Sequence, residues 1–266
     1  MPRVALLMPL HDPDGALAPE TARVRADARA AAAWSTLRAA LSEVAAYASA
    51  EASPATTAAF AELGATIRPR RDATPGSWMW TLVDAALEVD ADHYFIPDSD
   101  RLLHWLLTYP DELVELTRRW GQHDVLSLTR THRAFESHPS TQTLTEGPAM
   151  RLIGDAIGLP GADPFSGAYL LSRRALETIV ASDAPRDRVF YAEAFLAPAR
   201  AGCSFGAWEV EGLEWETPDH FCAAIAARGY DAWLADFQSP RQWLMRVEMM
   251  ASWIDRVRPM LGAKHR

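Results

Sequence analysis

The sequence predicts a mixed α/β fold with a mostly parallel central sheet, helices on both faces and a helical C-terminal extension. Three observations predict it. Short apolar runs alternate with helical patterns through the first hundred or so residues, which is typical of a mostly parallel sheet. The first of these runs, residues 4–10, is apolar throughout, as expected for a strand covered on both faces. From residue 217 onward the pattern is helical and rich in tryptophan.

In the first half, each predicted strand ends at residues that favour turns. The run 4–10 stops at Asp12-Pro13-Asp14-Gly15, which predicts a buried strand followed by a turn. Gly64 follows a helical pattern as a natural C-cap, and Pro75-Gly76 opens the next helix. The predicted strands here are 4–10, 44–48, 65–70 and 93–97, and the predicted helices are 19–42, 56–63 and 75–87.

The second half is less regular. Residues 130–147 are polar, and a loop of this length is usually functional or mobile. We predict strands at 124–129, 167–171 and 204–210, helices at 110–120, 173–180 and 189–200, and helical structure from 217 to about 261. We predict a main domain over residues 1–215 and a helical extension over 216–266 packed on it.

Composition excludes several classes of protein. The chain has 266 residues and a formal net charge of -9, so it is a poor general binder of nucleic acid or anionic membranes. Its two cysteines lack CxxC spacing, which disfavours a thiolate zinc site and excludes a disulfide framework. We expect reduced thiols and a cytoplasmic location. No stretch approaches the ~20 apolar residues of a membrane helix.

The segment "DHYFIPDSDRLLHW" places Asp98-Ser99-Asp100 directly after a buried strand. In parallel sheets, ligands bind beyond the carboxyl ends of the strands. One of these residues could cap the following helix. Two carboxylates one residue apart also suit Mg²⁺ or Mn²⁺, which take carboxylate oxygens and leave positions for phosphate. An aspartate nucleophile is a third interpretation.

Several segments, taken in order, resemble nucleotide-sugar glycosyltransferases of the GT-A fold. They are "VALLMPL", "ATIRPRRDATPGSWMWTLVDAALEVDADHYFIPDSD", "ADPFSGAYLLSRRALETIV" and "RVFYAEAFLAPARAGCSFGAWEVEG". The sequence is most similar to the retaining group of mannosylglycerate synthase and glucosyl-3-phosphoglycerate synthase. The resemblance covers about residues 3–221 and implies a GT-A fold and transfer of a sugar from a UDP- or GDP-linked donor to a small or glycan acceptor. It leaves open whether the protein forms a homodimer.

The resemblance also implies roles for individual residues. It makes Asp100 and Glu193 the catalytic candidates, with Glu193 near the acceptor. It assigns a manganese or magnesium ion to Asp98, Asp100 and His220. The residues implied in nucleotide-sugar binding are Pro9, Leu10, Arg70, Arg71, Gly76, Asp98, Ser99 and Gly167. Related enzymes often carry a basic residue in the glycine loop, and here Arg70 and Arg71 precede that loop and would replace it.

Alternatives remain both to the roles of His220 and Glu193 and to the function as a glycosyltransferase. His220 could be a surface or capping residue, and Glu193 a solvated helix residue. A nucleotidyltransferase on a related fold is a second function, although the turn after the first strand has one glycine and no basic residue. A non-catalytic binding protein on the same fold is a third.

Overall fold

A computed structural model of the protein describes residues 2–70, 72 and 77–264, with side chains described to residue 262. Within these residues a seven-stranded sheet has the order β3-β2-β1-β4-β6-β5-β7. The strands are β1 Val4–Leu10, β2 Glu43–Ala48, β3 Thr66–Pro69, β4 His93–Pro97, β5 Val125–Arg130, β6 Ala168–Ser172 and β7 Phe205–Val210. Strand β6 runs antiparallel to its neighbours β4 and β5, and the other pairs are parallel.

Helices cover both faces of this sheet. They are α1 Leu17–Ala26, α2 Ala28–Ala40, α3 Pro54–Glu62, α4 Trp78–Ala86, α5 Ser99–Thr108, α6 Pro110–Leu116, α7 His132–Glu136, α8 Ser140–Ile157, α9 Arg173–Val180, α10 Phe190–Arg200, α11 Thr217–His220, α12 Cys222–Arg228, α13 Tyr230–Phe237 and α14 Pro240–Lys264. A 3₁₀ turn, Thr117–Arg119, follows α6.

The strands divide the interior into two cores because successive side chains point to opposite faces. In β1, Leu6 and Met8 belong to the core beneath α1, α2, α3, α5 and α6. Ala5 and Leu7 belong to the other core, beneath α4, α8, α9, α10 and α14. All seven residues of β1 are buried, which explains why this run is apolar throughout.

The predicted fold class is confirmed, since the sheet is mostly parallel, helices lie on both faces and the C-terminal segment is helical. All seven predicted strands are present within a residue or two of their predicted bounds. The predicted helix 19–42 is two helices, because the Asp27 carboxylate accepts hydrogen bonds from Arg29 N and Ala30 N and starts α2.

The prediction of a long loop over residues 130–147 is wrong. This segment forms α7 and the first part of α8. The buried face of α8 begins with polar residues, Thr141, Thr145 and Glu146, before Ala149 and Ile153. Thr145 Oγ1 donates to the Thr141 carbonyl at 2.7 Å, so this polar residue is buried with its hydroxyl hydrogen-bonded. The apolar periodicity that predicts a helix was therefore missing from the sequence.

The C-terminal helix α14 packs against α8 and α10. It places Trp253 and Val257, each 1% exposed, in the core of the main sheet. The residue at which a main domain would end therefore stays a prediction. Among the described residues, no helix combines the length and apolar character that crossing a bilayer requires.

Candidate functional site

The carboxyl ends of β1, β2, β3 and β4 meet at one edge of the sheet. Pro9 is in register with Tyr47, and Ala48 with Pro69, so the residues after these strands come together. They border a cleft of about 650 Å³. The described residues that line it are Pro9, His11, Ser49, Glu51, Arg70, Asp72, Trp78, Asp98, Ser99 and Asp100.

Five of the predicted site residues meet in this cleft, although they come from three separate parts of the sequence. They are Pro9, Arg70, Asp98, Ser99 and Asp100. Leu10 lies instead in the core and is 0% exposed, because its side chain points to the face covered by α1 and α5. Arg71 and Gly76 lie outside the described residues, so their predicted roles stay predictions.

Asp98 occupies the N-cap position of α5, but its side chain makes no capping hydrogen bond. Its backbone N–H donates to the Gly167 carbonyl at 2.8 Å, and this bond joins the end of β4 to the start of β6. The carboxyl faces the cleft. Burial, followed by the nearby charge of Asp100, raises the pKa of Asp98 to about 8. The capping interpretation therefore does not describe this side chain.

Arg70 offers a cation to the same cleft. The residue is 8% exposed, and its Nε lies 3.0 Å from the Asp72 carboxylate. Its terminal nitrogen Nη1 is buried and has no hydrogen-bond partner among the described residues. A buried guanidinium nitrogen without a partner is costly, and a phosphate oxygen in the cleft would satisfy it.

Gly167 lies where the backbone allows no side chain. Its φ is +72°, and a Cβ would lie 2.4 Å from Arg101 Nε and 2.7 Å from Asp98 Oδ2. Glycine is the residue that tolerates both conditions. Gly167 thus makes room for Asp98 and Arg101, and its predicted binding role stays a prediction.

Arg101 is held by several groups around it. Its Nη1 lies 3.1 Å from Glu216 Oε2 and donates to the Leu213 carbonyl at 3.3 Å. His138 Nε2 lies 3.4 Å from Arg101 Nη2. Burial lowers the pKa of His138 well below its usual value, so a neutral imidazole can accept this hydrogen bond. Asp98 Oδ2 lies 3.9 Å from Nε, which places the guanidinium between two acidic groups.

His220 lies beside Glu20, with its Nε2 3.4 Å from Glu20 Oε1. Burial alone would lower the pKa of His220, but pairing with Glu20 and the charges of Asp100 and Glu216 raise it to about 9. An imidazolium cannot coordinate a metal, because the ligand must be deprotonated. In this arrangement His220 is an ion-pair partner, and its role as a ligand stays a prediction.

The donor chemistry of the cleft fits a hard divalent cation. Within the described part of the chain, no group of three or more His, Cys, Asp or Glu side chains is gathered to hold a metal ion by itself. Mg²⁺, however, is often bound by one or two carboxylates together with substrate phosphates and water. Asp98 and Asp100 supply such groups at the wall of the cleft that Arg70 also lines, and a bound cation would lower the pKa of Asp98 and favour its carboxylate form.

A second cavity of about 280 Å³ adjoins the cleft and shares Trp78 and Asp98 with it. Helices α4, α8, α10 and α14 surround it. The described residues that line it are Trp78, Met79, Asp98, Arg101, Gln142, Glu146, Phe165, Gly167, Arg188, Phe190, Tyr191, Met245, Arg246, Met249 and Trp253. Asp98 therefore stands at the junction of a larger and a smaller binding space.

The structure does not bring Glu193 to either cavity. Glu193 is 0% exposed on α10. One of its carboxylate oxygens pairs with Arg200, and the other lies 3.1 Å from Arg256 on α14. A carboxylate engaged on both oxygens by arginines holds helices together and is poorly suited to act as a base. The role predicted for Glu193 near the acceptor is corrected accordingly.

Sequence reasoning missed most of the second cavity. Arg101 is adjacent to Asp100, but only the folded chain shows that it lines this cavity and pairs with Glu216. Gln142 and Glu146 belong to the segment that was predicted as a loop. Arg246 lies on α14, which has no motif that could have indicated a binding wall.

No protein-family model matches the sequence, and no curated protein matches it. Two solved structures are similar in fold. One is CMP:2-keto-3-deoxy-manno-octonic acid synthetase in complex with CTP, with 16% identity and a TM-score of 0.47 over 86% of this chain and 99% of that one. The other is a protein designated a nucleotide-diphospho-sugar transferase from Desulfovibrio desulfuricans G20, with 10% identity and a TM-score of 0.39 over 98% of this chain and 99% of that one. At this level of similarity a common architecture does not carry a common substrate.

Proposed function

We propose that the protein is a metal-dependent glycosyltransferase, which moves a sugar from a nucleoside diphosphate sugar to a small acceptor with retention of anomeric configuration. The UDP- or GDP-linked donor would occupy the larger cleft, and the acceptor the smaller cavity. The sequence motifs support the proposal that the protein belongs to the group of mannosylglycerate synthase and glucosyl-3-phosphoglycerate synthase.

The position of Asp98 carries this proposal. Its carboxyl lines both cavities, and Asp100 lies beside it in the larger one. A transferase must bring a donor and an acceptor together at one point, and the larger cleft has the carboxylates and the buried arginine that a diphosphate and its cation require. Two cavities that meet at a carboxyl fit this requirement better than a single binding pocket would.

In the proposed reaction, the chain binds and orients the two substrates. Arg70 would pair with a phosphate oxygen through its Nη1. Trp78, which lines both cavities, would contact the donor on one side and the acceptor on the other. Asp98 and Asp100 would hold the divalent ion, which offsets negative charge on the departing diphosphate. Arg101, fixed by Glu216 and the Leu213 carbonyl, keeps Asp98 in place and presents a positive charge at the junction.

Retention is supported by the lack of a free base in the second cavity. An inverting transferase needs a base that removes the proton from the acceptor hydroxyl. Among the described residues lining that cavity the carboxylates are Asp98 and Glu146. Asp98 would be engaged by the divalent ion, and Glu146 is engaged by Arg130 at 2.9 Å and Arg246 at 3.1 Å. With retention, the departing diphosphate can accept the proton, and a dedicated base is unnecessary.

The nucleotidyltransferase alternative is less well supported at the end of β1. There Asp12 accepts hydrogen bonds from Ala16 N at 3.0 Å and Leu17 N at 2.9 Å. A carboxylate thus already occupies the N-terminus of α1, where backbone N–H groups could otherwise receive a phosphate. An assay with a nucleoside triphosphate and a sugar 1-phosphate checks this alternative, since it predicts release of pyrophosphate.

Thermal unfolding with UDP, GDP, ADP or CDP, each with and without Mn²⁺, tests the proposed function. A ligand at 100 times its dissociation constant stabilises the folded state by about 2.7 kcal/mol. We expect UDP or GDP to raise the melting temperature, and to do so only with Mn²⁺. Absence of any Mn²⁺-dependent shift would refute the metal-dependent donor site.

A further inference from the structure

We propose that the second cavity binds a sugar acceptor that combines an anionic group with an apolar body about the size of one aromatic ring. This inference rests on the proposed function in so far as the bound molecule is called an acceptor. The cavity has a volume of about 280 Å³, less than half that of the larger cleft. The space therefore suits a small molecule.

The apolar part of the inference follows from the walls. More than half of the described lining residues are aromatic or methionine. Phe165 and Trp253 pack with ring centroids 4.1 Å apart, and Tyr191 lies 6.2 Å from Trp253 in an edge-on arrangement. Met245 and Met249 line the cavity from α14. Phe165 and Trp253 are themselves buried, but Trp78, Tyr191, Met245 and Met249 are half-buried, and an apolar ring would remove their surface from water.

The anionic part follows from arginines that have more N–H donors than acidic partners to receive them. A guanidinium has five N–H donors. Arg246, 20% exposed in its side chain, has one acidic partner among the described residues, Glu146 at 3.1 Å. Glu146 is shared with Arg130, which also binds Asp163. Burial lowers the pKa of Arg246 despite this pairing, so its charge is incompletely compensated.

Arg188 adds a second available cation at the rim of the cavity. The residue is exposed, and its side chain has no ion pair among the described residues. Its carbonyl accepts a hydrogen bond from Trp253 Nε1 at 2.9 Å, which fixes its backbone beside the aromatic wall. An anionic group held between Arg188 and Arg246 would leave an attached ring against Tyr191 and the methionines.

Gln142 indicates where a hydroxyl of the same molecule could bind. The residue lines the cavity, and its Oε1 is buried and has no hydrogen-bond partner in the described part of the chain. A buried oxygen without a donor is unfavourable, and a hydroxyl would supply one. The cavity thus offers separate places for an anion, an apolar ring and a hydroxyl.

Isothermal titration calorimetry with three probes tests the inference. The probes are 4-hydroxybenzoate, its uncharged methyl ester, and D-glycerate, which has the charge and hydroxyls but no ring. Each is titrated into the full chain with and without UDP or GDP and Mn²⁺. We expect 4-hydroxybenzoate to bind at least about ten-fold more tightly than either comparison probe, which corresponds to about 1.4 kcal/mol.

Two variants locate the binding. We expect Arg246→Met to weaken 4-hydroxybenzoate binding about ten-fold or more, whereas Arg258→Met, an exposed arginine on the same helix paired with Asp255, should leave it unchanged. Arg188→Gln removes an exposed side chain, so it tests the same point without risk to folding, and it should weaken binding in the same direction.

Each outcome bears on the inference separately from the proposed function. Equal or tighter binding of D-glycerate would overturn the apolar part, and equal binding of the methyl ester would overturn the anionic part. Absence of binding by all three probes, with nucleotide binding intact, would overturn the inference and leave the donor site standing. Selective binding of 4-hydroxybenzoate without nucleotide binding would support the cavity's chemistry and refute sugar transfer.

Discussion

Gly167 shows how a single residue without a side chain organises the proposed site. Its φ of +72° would by itself disfavour any other residue, at a cost of about 1–2 kcal/mol. Gly167→Ala would also press a methyl group against Arg101 and Asp98. We expect this variant to lose more stability than the backbone cost alone, and to lose at least about ten-fold in affinity for UDP or GDP with Mn²⁺. Urea unfolding and calorimetry measure the two effects.

Gly158→Ala is the matched control for this prediction. Gly158 has a φ of +75°, and a Cβ there would have no heavy atom within 4 Å. The variant should therefore show the backbone cost without the contact, and its nucleotide affinity should equal that of the wild type. If the two alanine variants behave alike in both measurements, the contact of Gly167 with Asp98 and Arg101 has no functional meaning.

The ion pair of His220 with Glu20 predicts a pH dependence of stability. The folded-state pKa of His220, about 9, lies above the ordinary value of about 6.5. The pair therefore contributes its full stability below about pH 6.5 and loses it as the pH rises through about 9. Because Glu20 is buried and the His220 side chain is only 14% exposed, His220→Ala should lower the unfolding free energy by about 3 kcal/mol near pH 6.

Urea unfolding of the wild type and His220→Ala at about pH 6 and about pH 10 measures this dependence. The difference between the two proteins should shrink at the higher pH. A difference that grows with pH would mean that His220 is neutral in the folded protein, and its assignment as a metal ligand would regain support.

At the scale of the secondary-structure elements, strands were easier to predict than the helices that form the second cavity. The strands are apolar runs that end at turn residues, and these are local signals. The buried face of α8 begins with Thr141, Thr145 and Glu146, which are polar residues and add nothing to an apolar pattern. Glu146 can be buried because Arg130, from β5, and Arg246, from α14, pair with it across the interior, and Thr141 donates to the Phe237 carbonyl at 2.9 Å. No local pattern indicates partners so distant in sequence.

Helix α14 is predicted to be part of the folded core through one side chain. Trp253 is 1% exposed, packs on Phe165 and donates from Nε1 to the Arg188 carbonyl at 2.9 Å. Trp253→Ala should lower the unfolding free energy by about 3–5 kcal/mol. Trp243→Ala, at a half-buried position on the same helix, is the comparison and should cost clearly less. Equal losses in urea unfolding would show that α14 is not anchored at Trp253.

At the scale of the whole molecule, the sheet order explains why the larger cleft could be foreseen and the smaller cavity could not. Strands β1 and β4 are neighbours, so residues that follow predicted parallel strands, such as Pro9 and Asp98, could be expected at one edge. The second cavity forms only where α8, α10 and α14 close over the antiparallel strand β6. The reversal of β6 and the packing of the C-terminal helix depend on the completed fold.

The central claim is that Asp100 and Asp98 bind the metal-linked diphosphate of a nucleotide sugar. Calorimetric titration of UDP and GDP into the wild type, Asp100→Asn and the control Asp111→Asn, with and without Mn²⁺, tests it most directly. Asp111 is an exposed aspartate on α6, paired with Arg29. The hydrogen bond that Asp100 accepts comes from the N–H of the adjacent Arg101, so its replacement should leave the fold intact. We predict that one nucleotide binds only with Mn²⁺, that Asp111→Asn matches the wild type, and that Asp100→Asn weakens binding at least about ten-fold. Nucleotide binding that is equally tight without Mn²⁺, or in Asp100→Asn, would contradict the account.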